Sequence, residues 1–418
     1  MDVPLLHMML VLLAQLTFAA PPNTSFATLP VFYYGADVGS VRTDANIAML
    51  SRMRLVALLQ QDGPCWAKCC PQGPHGLCAP AGVLNGSLPL PNASKNPGCD
   101  PSCDQLSTQT TIFERVKKAA VDAGRRPPHC LLYVNHVYDW PFDLAHAGGA
   151  WNVDVVDIHG VPHAEVCDPG IFPSYFTDFG RQAGREAFLS SIRKHVVQGA
   201  ADGVWLDNFN QIPFNCSDGT CTALRSKDPV NNASIVSRQQ VTAYQAGKRE
   251  ATTAAVQMVS GPGSKRGAFA AIACDYGLSC TRRNTNGANM GYLSQGLVDN
   301  FRTNITGLVA LVDEAFANGY TYLLVEISRT LGGKRRGCMS EVGIAAFLLA
   351  ARKGCFLQCR GTPGSFIDKP IGEPLGPANI SHDGSMLRRS FASGVEAWWR
   401  LGTAEGGVNW GQASAIAP

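Results

Sequence analysis

Short apolar runs and longer stretches of helical period follow one another along almost the whole of this chain. The runs are rich in Val, Leu, Ile and aromatics, and their lengths suit strands. Eight can be counted: residues 31–37 (VFYYGAD), 54–60 (RLVALLQ), 130–135 (CLLYVN), 203–209 (GVWLDNF), 268–274 (AFAAIAC), 296–301 (GLVDNF), 320–327 (YTYLLVEI) and 355–359 (CFLQC). The sixth is the weakest. Helices are predicted over residues 44–53, 110–123, 178–197, 238–259, 304–317 and 341–351. In the third of these, Phe179, Ala183, Ala187, Phe188, Ile192 and Val196 recur at three- and four-residue steps, which is one face of a helix. Strand and helix alternating in this way predict a parallel sheet. Eight strands suit a closed (β/α)8 barrel, because closure uses that number and leaves no edge. An open doubly wound sheet is the alternative, but no Gly-x-Gly-x-x-Gly follows the first run.

Two segments stand outside the alternation. Residues 62–106 hold Cys65, Cys69, Cys70, Cys78, Cys99 and Cys103 among many Pro, Gly and Asn, without a hydrophobic period. They predict a disulfide-rich insertion after the second strand. The Cys65-x-x-x-Cys69 spacing could suit zinc, but no His pair accompanies it. Residues 385–418, with Phe391, Val395, Trp398 and Trp399, predict a short β appendage. The barrel is then expected over residues 28–384. Cys216/Cys221 and Cys274/Cys280 each flank a loop and read as local pairs. Cys355 and Cys359 would lie about 13 Å apart on one strand, too far to bridge.

Fifteen cysteines are many for a reducing compartment, and the first residues agree with an oxidising one. Leu5 to Phe18 is almost wholly apolar and leads to Ala19 and Ala20, a signal-peptide pattern with cleavage expected after Ala19. The expectation is a secreted or secretory-lumen protein. Seven Asn-x-Ser/Thr sequons begin at Asn23, Asn85, Asn92, Asn215, Asn232, Asn304 and Asn379, so N-linked glycans are expected on surface loops. The apolar leader is shorter than the roughly 20 residues that cross a bilayer, and no membrane span is expected. A formal charge of +3, with no basic run longer than Lys334 to Arg336, gives no electrostatic case for nucleic acid.

In such a barrel, reactive groups stand at the C-terminal ends of the strands. Carboxylates recur there: Asp37 after the first run, Asp207 after the fourth, Asp275 after the fifth, Asp299 in the sixth and Glu326 in the seventh. Cleaving a glycosidic bond needs two carboxyl groups, one to protonate the leaving oxygen and one to attack or to activate water. Asp207 and Glu326 suit that need, with Asp299 as second choice for the partner. An Asp after a strand can also be a turn or helix cap, and Glu326 could instead form a salt bridge. Tyr34, Trp140 and Trp205 could stack on sugar rings, and Asn135, His136 and Asn208 could bond hydroxyls. His159 and His163 lack a convincing metal-ligand pattern. No cofactor is required, and the expected partner is a carbohydrate.

Three blocks resemble TIM-barrel glycosyl hydrolase families, including those related to the endo-α-1,4-polygalactosaminidase group. They are residues 202–209 (DGVWLDNF), 339–357 (MSEVGIAAFLLAARKGCFL) and 371–378 (IGEPLGPA), the last followed by RRSFASGVEAWW. The resemblance covers the second half of the barrel and the tail, and it implies that Asp207 is catalytic. Where such families carry Gly-x-x-x-Glu, this chain reads Gly296, Leu297, Val298, Asp299, Asn300. The resemblance therefore implies either that Asp299 or Glu326 supplies the second carboxylate, or that the barrel binds carbohydrate without cleaving it.

Overall fold

A computed structural model of the protein describes residues 25–35, 43–59, 105–139, 164–165, 174–197, 199–207, 212–217, 220–223, 235–260, 269–272, 290–293, 298, 301, 303–327, 340–359 and 365–411. Eight strands form a closed, all-parallel barrel: β1 (Val31–Gly35), β2 (Leu55–Leu59), β3 (His129–Asn135), β4 (Gly203–Asp207), β5 (Phe269–Ile272), β6 (Met290–Leu293), β7 (Tyr322–Glu326) and β8 (Cys355–Cys359). Each pairs with the next in sequence, and β8 returns to β1 with Leu357 opposite Val31. Helices α1 (Asp44–Leu50), α2 (Gln105–Asp122), α3 (Gln182–Ile192), α4 (Arg238–Ser260), α5 (Ile305–Ala317) and α6 (Glu341–Ala350) precede β2, β3, β4, β5, β7 and β8. Polar caps start several of them: Thr43 accepts from the Asn46 amide at 3.3 Å, Asn304 from the Gly307 amide at 3.1 Å, and Ser340 from the Gly343 amide at 3.1 Å. Each cap satisfies an amide that the first helical turn leaves without an intrahelical partner.

The strands have apolar residues on both faces because both faces are covered. Val56, Leu58, Leu132, Val204, Leu206, Leu323, Val325 and Leu357 belong to the outer core beneath the helices. Their neighbours Ala57, Leu131, Tyr133, Trp205, Tyr322, Leu324 and Phe356 form a separate inner cluster with Phe32, Leu55, Met290 and Tyr292. Successive side chains on a strand point to opposite faces, so this division settles which positions look into the barrel.

The sixth strand is Met290–Leu293, not residues 296–301 as the sequence pattern predicts. Gly291 suits this strand: a Cβ there would stand 3.2 Å from the Leu323 side chain and 3.3 Å from the Tyr320 ring. Glycine lets β6 lie close to its neighbour. Val298, expected in the strand, is helical and packs into the outer core. β6 as described ends at Leu293, and Asp299 lies outside the described residues. The strong strands hold their expected places, and β8 matches to the residue.

The C-terminal appendage starts earlier than residue 385. It is a four-stranded antiparallel sheet of β9 (Asn379–Ile380), β10 (Met386–Ser390), β11 (Glu396–Arg400) and β12 (Gly406–Asn409). It packs on the barrel rather than standing apart from it. The buried Arg389 side chain on β10 donates to Leu348 O at 2.9 Å, to Ala351 O, and to Gly376 O at 3.0 Å. Two of these carbonyls belong to the C-terminal turn of α6, where they have no intrahelical partner and where a cation meets the negative end of the helix dipole. Arg389→Ala strands all three acceptors, so the expected loss of stability in urea unfolding is about 2–4 kcal/mol. A loss below about 0.5 kcal/mol would show that the appendage does not depend on this anchor.

The pair expected at Cys216 and Cys221 is a disulfide, joining the hairpin strands Phe214–Ser217 and Thr220–Ala223. Cys130 and Cys355 are free and buried, and burial pushes each thiol up to about 12. The expected disulfide-rich insertion at residues 62–106 and the Cys274/Cys280 pair lie outside the described residues, apart from the first turn of α2. Among the described residues, no helix is long and apolar enough to cross a membrane.

Candidate active site

Asp207 and Glu326 are the last residues of β4 and β7, three strands apart around the ring. Each lies two positions beyond an inner-cluster residue, Trp205 and Leu324 respectively. The two-residue period of a strand therefore turns both carboxylates into the barrel at its C-terminal end. Glu326 is 6% exposed, while Asp207 is partly open to solvent.

A tyrosine from the preceding strand in the ring holds each carboxylate. The Tyr133 phenol on β3 donates to Asp207 Oδ2, and the Tyr292 phenol on β6 donates to Glu326 Oε2. Both rings rest on Trp205, with centroid separations of 6.1 Å to Tyr133 and 5.5 Å to Tyr292 in edge-on contact. Phe32 closes on the same indole at 4.8 Å. One tryptophan thus supports both phenols, and through them both carboxylates. Asn135, the register partner of Asp207, adds Nδ2 to the Tyr133 oxygen at 3.4 Å and accepts the Val137 amide through Oδ1 at 3.0 Å. Beside Glu326, the register partner on β8 is Gln358, a buried amide. Sequence reasoning passed over both phenols and Gln358. The alternation in CLLYVN and CFLQC marks Tyr133 and Gln358 as sharing a face with their i±2 neighbours, while Tyr292 was hidden by the misplaced sixth strand.

Two expected sugar contacts stand elsewhere. Trp205 lies one layer beneath the carboxylates, where the Phe32, Tyr133 and Tyr292 rings occupy its surface, so it supports the site rather than offering a stacking face. His136 points outward from β3, where it packs between Phe179 at 5.0 Å and Phe188 at 5.1 Å, with Thr252 Oγ1 at 3.1 Å from its Nε2. Its backbone amide reaches the site, donating to Asp207 O at 2.8 Å. Tyr34 is in β1, opposite Ala57 of β2. Asp37, Trp140, Asn208, Asp275, Asp299, His159 and His163 lie outside the described residues.

Lys248 of α4 is buried on the same side as His136. Burial lowers its pKa from 10.5 to about 7. Burial, and secondarily the Lys248 charge, holds His136 well below its ordinary value. A lysine depressed in the folded chain opposes folding most below pH 7. Between about 7 and 10.5 the unfolded chain binds the extra proton, so stability rises with pH. Urea unfolding is expected to give about 2 kcal/mol more stability at pH 9 than at pH 7 from this residue. Lys248→Met should remove that difference. An unchanged pH slope in the variant would show that Lys248 stays charged in the fold.

No family model and no curated protein sequence matches the chain. Among solved structures, the cyclic α-maltosyl-(1→6)-maltose hydrolase of Arthrobacter globiformis is similar at 11% identity and a TM-score of 0.47, over 94% of this chain and 92% of that one. The glycoside hydrolase domain of PelA from Pseudomonas aeruginosa is similar at 9% identity and a TM-score of 0.38, over 82% of this chain and 96% of that one. A cycloisomaltooligosaccharide glucanotransferase from a Paenibacillus species is similar at 11% identity and a TM-score of 0.40. There the likeness covers 73% of this chain but spans only 39% of the glucanotransferase.

Proposed function

We propose that the protein is a glycoside hydrolase acting on an oligosaccharide or polysaccharide, with Asp207 and Glu326 as its carboxyl pair. The observation that carries this reading is the arrangement of two inward carboxylates at the C-terminal ends of β4 and β7, each held by a phenol that rests on Trp205. Such a pair supplies what glycosidic cleavage needs: a proton for the leaving oxygen, and a carboxylate that attacks the anomeric carbon or activates water on the opposite face. Asp207, the more open of the two, reaches the sugar carbon or its water. Glu326, enclosed beside Tyr292, exchanges the proton with the leaving oxygen. The tyrosines fix the carboxylate orientations before substrate arrives, which keeps the reorganisation cost of the reaction low.

The DGVWLDNF likeness makes α-1,4-linked galactosamine polymers the first substrates to try within a wider glycan panel. The proposed place of action is the secretory pathway, a reading supported by the Cys216–Cys221 bridge and by the exposed sequon asparagines Asn215, Asn304 and Asn379. The test is release of reducing ends by wild type, Glu326→Gln and Asp299→Asn. Turnover lost in Glu326→Gln and kept in Asp299→Asn supports the pair. Glycan binding without any turnover would overturn the enzyme reading. Full turnover in Glu326→Gln together with an inert Asp299→Asn would overturn the choice of partner.

A further inference from the structure

Gln358 stands on β8 between two register partners, Glu326 of β7 and Phe32 of β1. It follows Phe356 of the inner cluster by two positions, and Leu357 between them belongs to the outer core. Its amide therefore points into the barrel at the level of Glu326. The residue is 1% exposed, and among the described residues neither Oε1 nor Nε2 has a hydrogen-bond partner. A buried amide with donor and acceptor both unmade opposes folding, and Leu or Met would fill the same volume without that cost. Unmet polar groups in a native interior call for a reason outside the packing. Here the position itself supplies one, because the amide adjoins the carboxylate proposed to handle the leaving oxygen.

We propose that Gln358 is a substrate-binding residue, giving an Nε2 hydrogen to one hydroxyl of a pyranose ring and accepting a hydroxyl hydrogen at Oε1. This rests on the glycosidase reading and extends it to the class of group recognised beside Glu326. A hydroxyl both donates and accepts, so a vicinal pair matches an amide on both sides. A phosphate or carboxylate would leave Oε1 without a donor and would face the Glu326 carboxylate. The site therefore selects a neutral polyhydroxyl ring over an anionic sugar at this position. By the same logic an analogue that lacks the hydroxyl is expected to be rejected, since the buried amide is then left unpaired.

Two measurements test this on the full-length protein. The first is thermal unfolding of Gln358→Met without ligand. A melting temperature about 2 °C or more above wild type is expected, because the variant no longer buries unmade bonds. A fall in melting temperature would show that the amide already has a structural role, and would overturn the proposal. The second is the kinetics and equilibrium binding of Gln358→Met on the panel glycan that wild type hydrolyses, alongside its monodeoxy analogues. A loss of kcat/KM of about 10- to 100-fold is expected, and one deoxy analogue should bind wild type and variant equally. Unchanged kcat/KM in Gln358→Met while Glu326→Gln is inert would overturn this inference and leave the glycosidase reading standing. A wild type that neither hydrolyses nor binds any panel glycan would overturn both.

Discussion

Asp207→Asn is expected to slow glycan hydrolysis by about 10³-fold or more, with the melting temperature held close to that of wild type. A positioned carboxyl group that moves a proton contributes about 10² to 10⁴ to a rate, and one that attacks carbon contributes through a covalent route that an amide cannot follow. Asparagine keeps the size of Asp207 and can still accept the Tyr133 phenol, so the aromatic tier beneath it has no cause to rearrange. The loss should fall on kcat, because charge and proton transfer matter in the transition state and little in binding. Steady-state kinetics with parallel circular dichroism checks this. A variant that loses activity and structure together would assign Asp207 to the fold instead.

Trp205→Ala is expected to cost about 3–5 kcal/mol of stability, the range for removing a large buried aromatic from a packed core. The indole is enclosed and touches Phe32, Tyr133 and Tyr292, so few neighbours can move in to fill the space. The consequence for activity is separate from that for stability. Both carboxylates depend on phenols seated on this ring, and the folded fraction of Trp205→Ala should turn over more slowly than wild type by about 10²-fold, the scale of a small misplacement of catalytic groups. Trp205→Phe, which keeps a ring at the centre of the tier, should lie between the two. Urea unfolding with kinetics under folding conditions reads both effects. A stability loss below about 1 kcal/mol would mean that the barrel interior does not pivot on this residue.

The parts of the site that were legible in the sequence are those carried by strong local pattern. GVWLDNF and YTYLLVEI each place a carboxylate at the end of an apolar run, and an acidic group in that position has few roles in a closed barrel. The helices predicted over residues 304–317 and 341–351 likewise begin within a residue of where they were expected. What was not legible depends on contacts between distant segments. β6 is only four residues long and contains a glycine whose fitness shows only beside Tyr320 and Leu323. Missing it hid Tyr292, which lies within β6. Gly247 of α4 is a similar case: a Cβ there would come within 1.8 Å of Phe179 O, so its role is a helix-to-turn contact that no local period records. The predicted helix over residues 178–197 starts late for a local reason. Asp178 folds the first residues into a turn, accepting from the Gly180 amide at 2.9 Å and from Arg181 Nε at 2.8 Å.

Whether Asp207 and Glu326 work as one unit is measured most directly by the rate of Asp207→Asn/Glu326→Gln beside its two single variants on one glycan. Groups that act together in catalysis are strongly non-additive. The expected result is a double variant no slower than the slower single variant, within about threefold. Rate losses that multiply, or a Glu326→Gln protein that turns over at the wild-type rate, would contradict the pair.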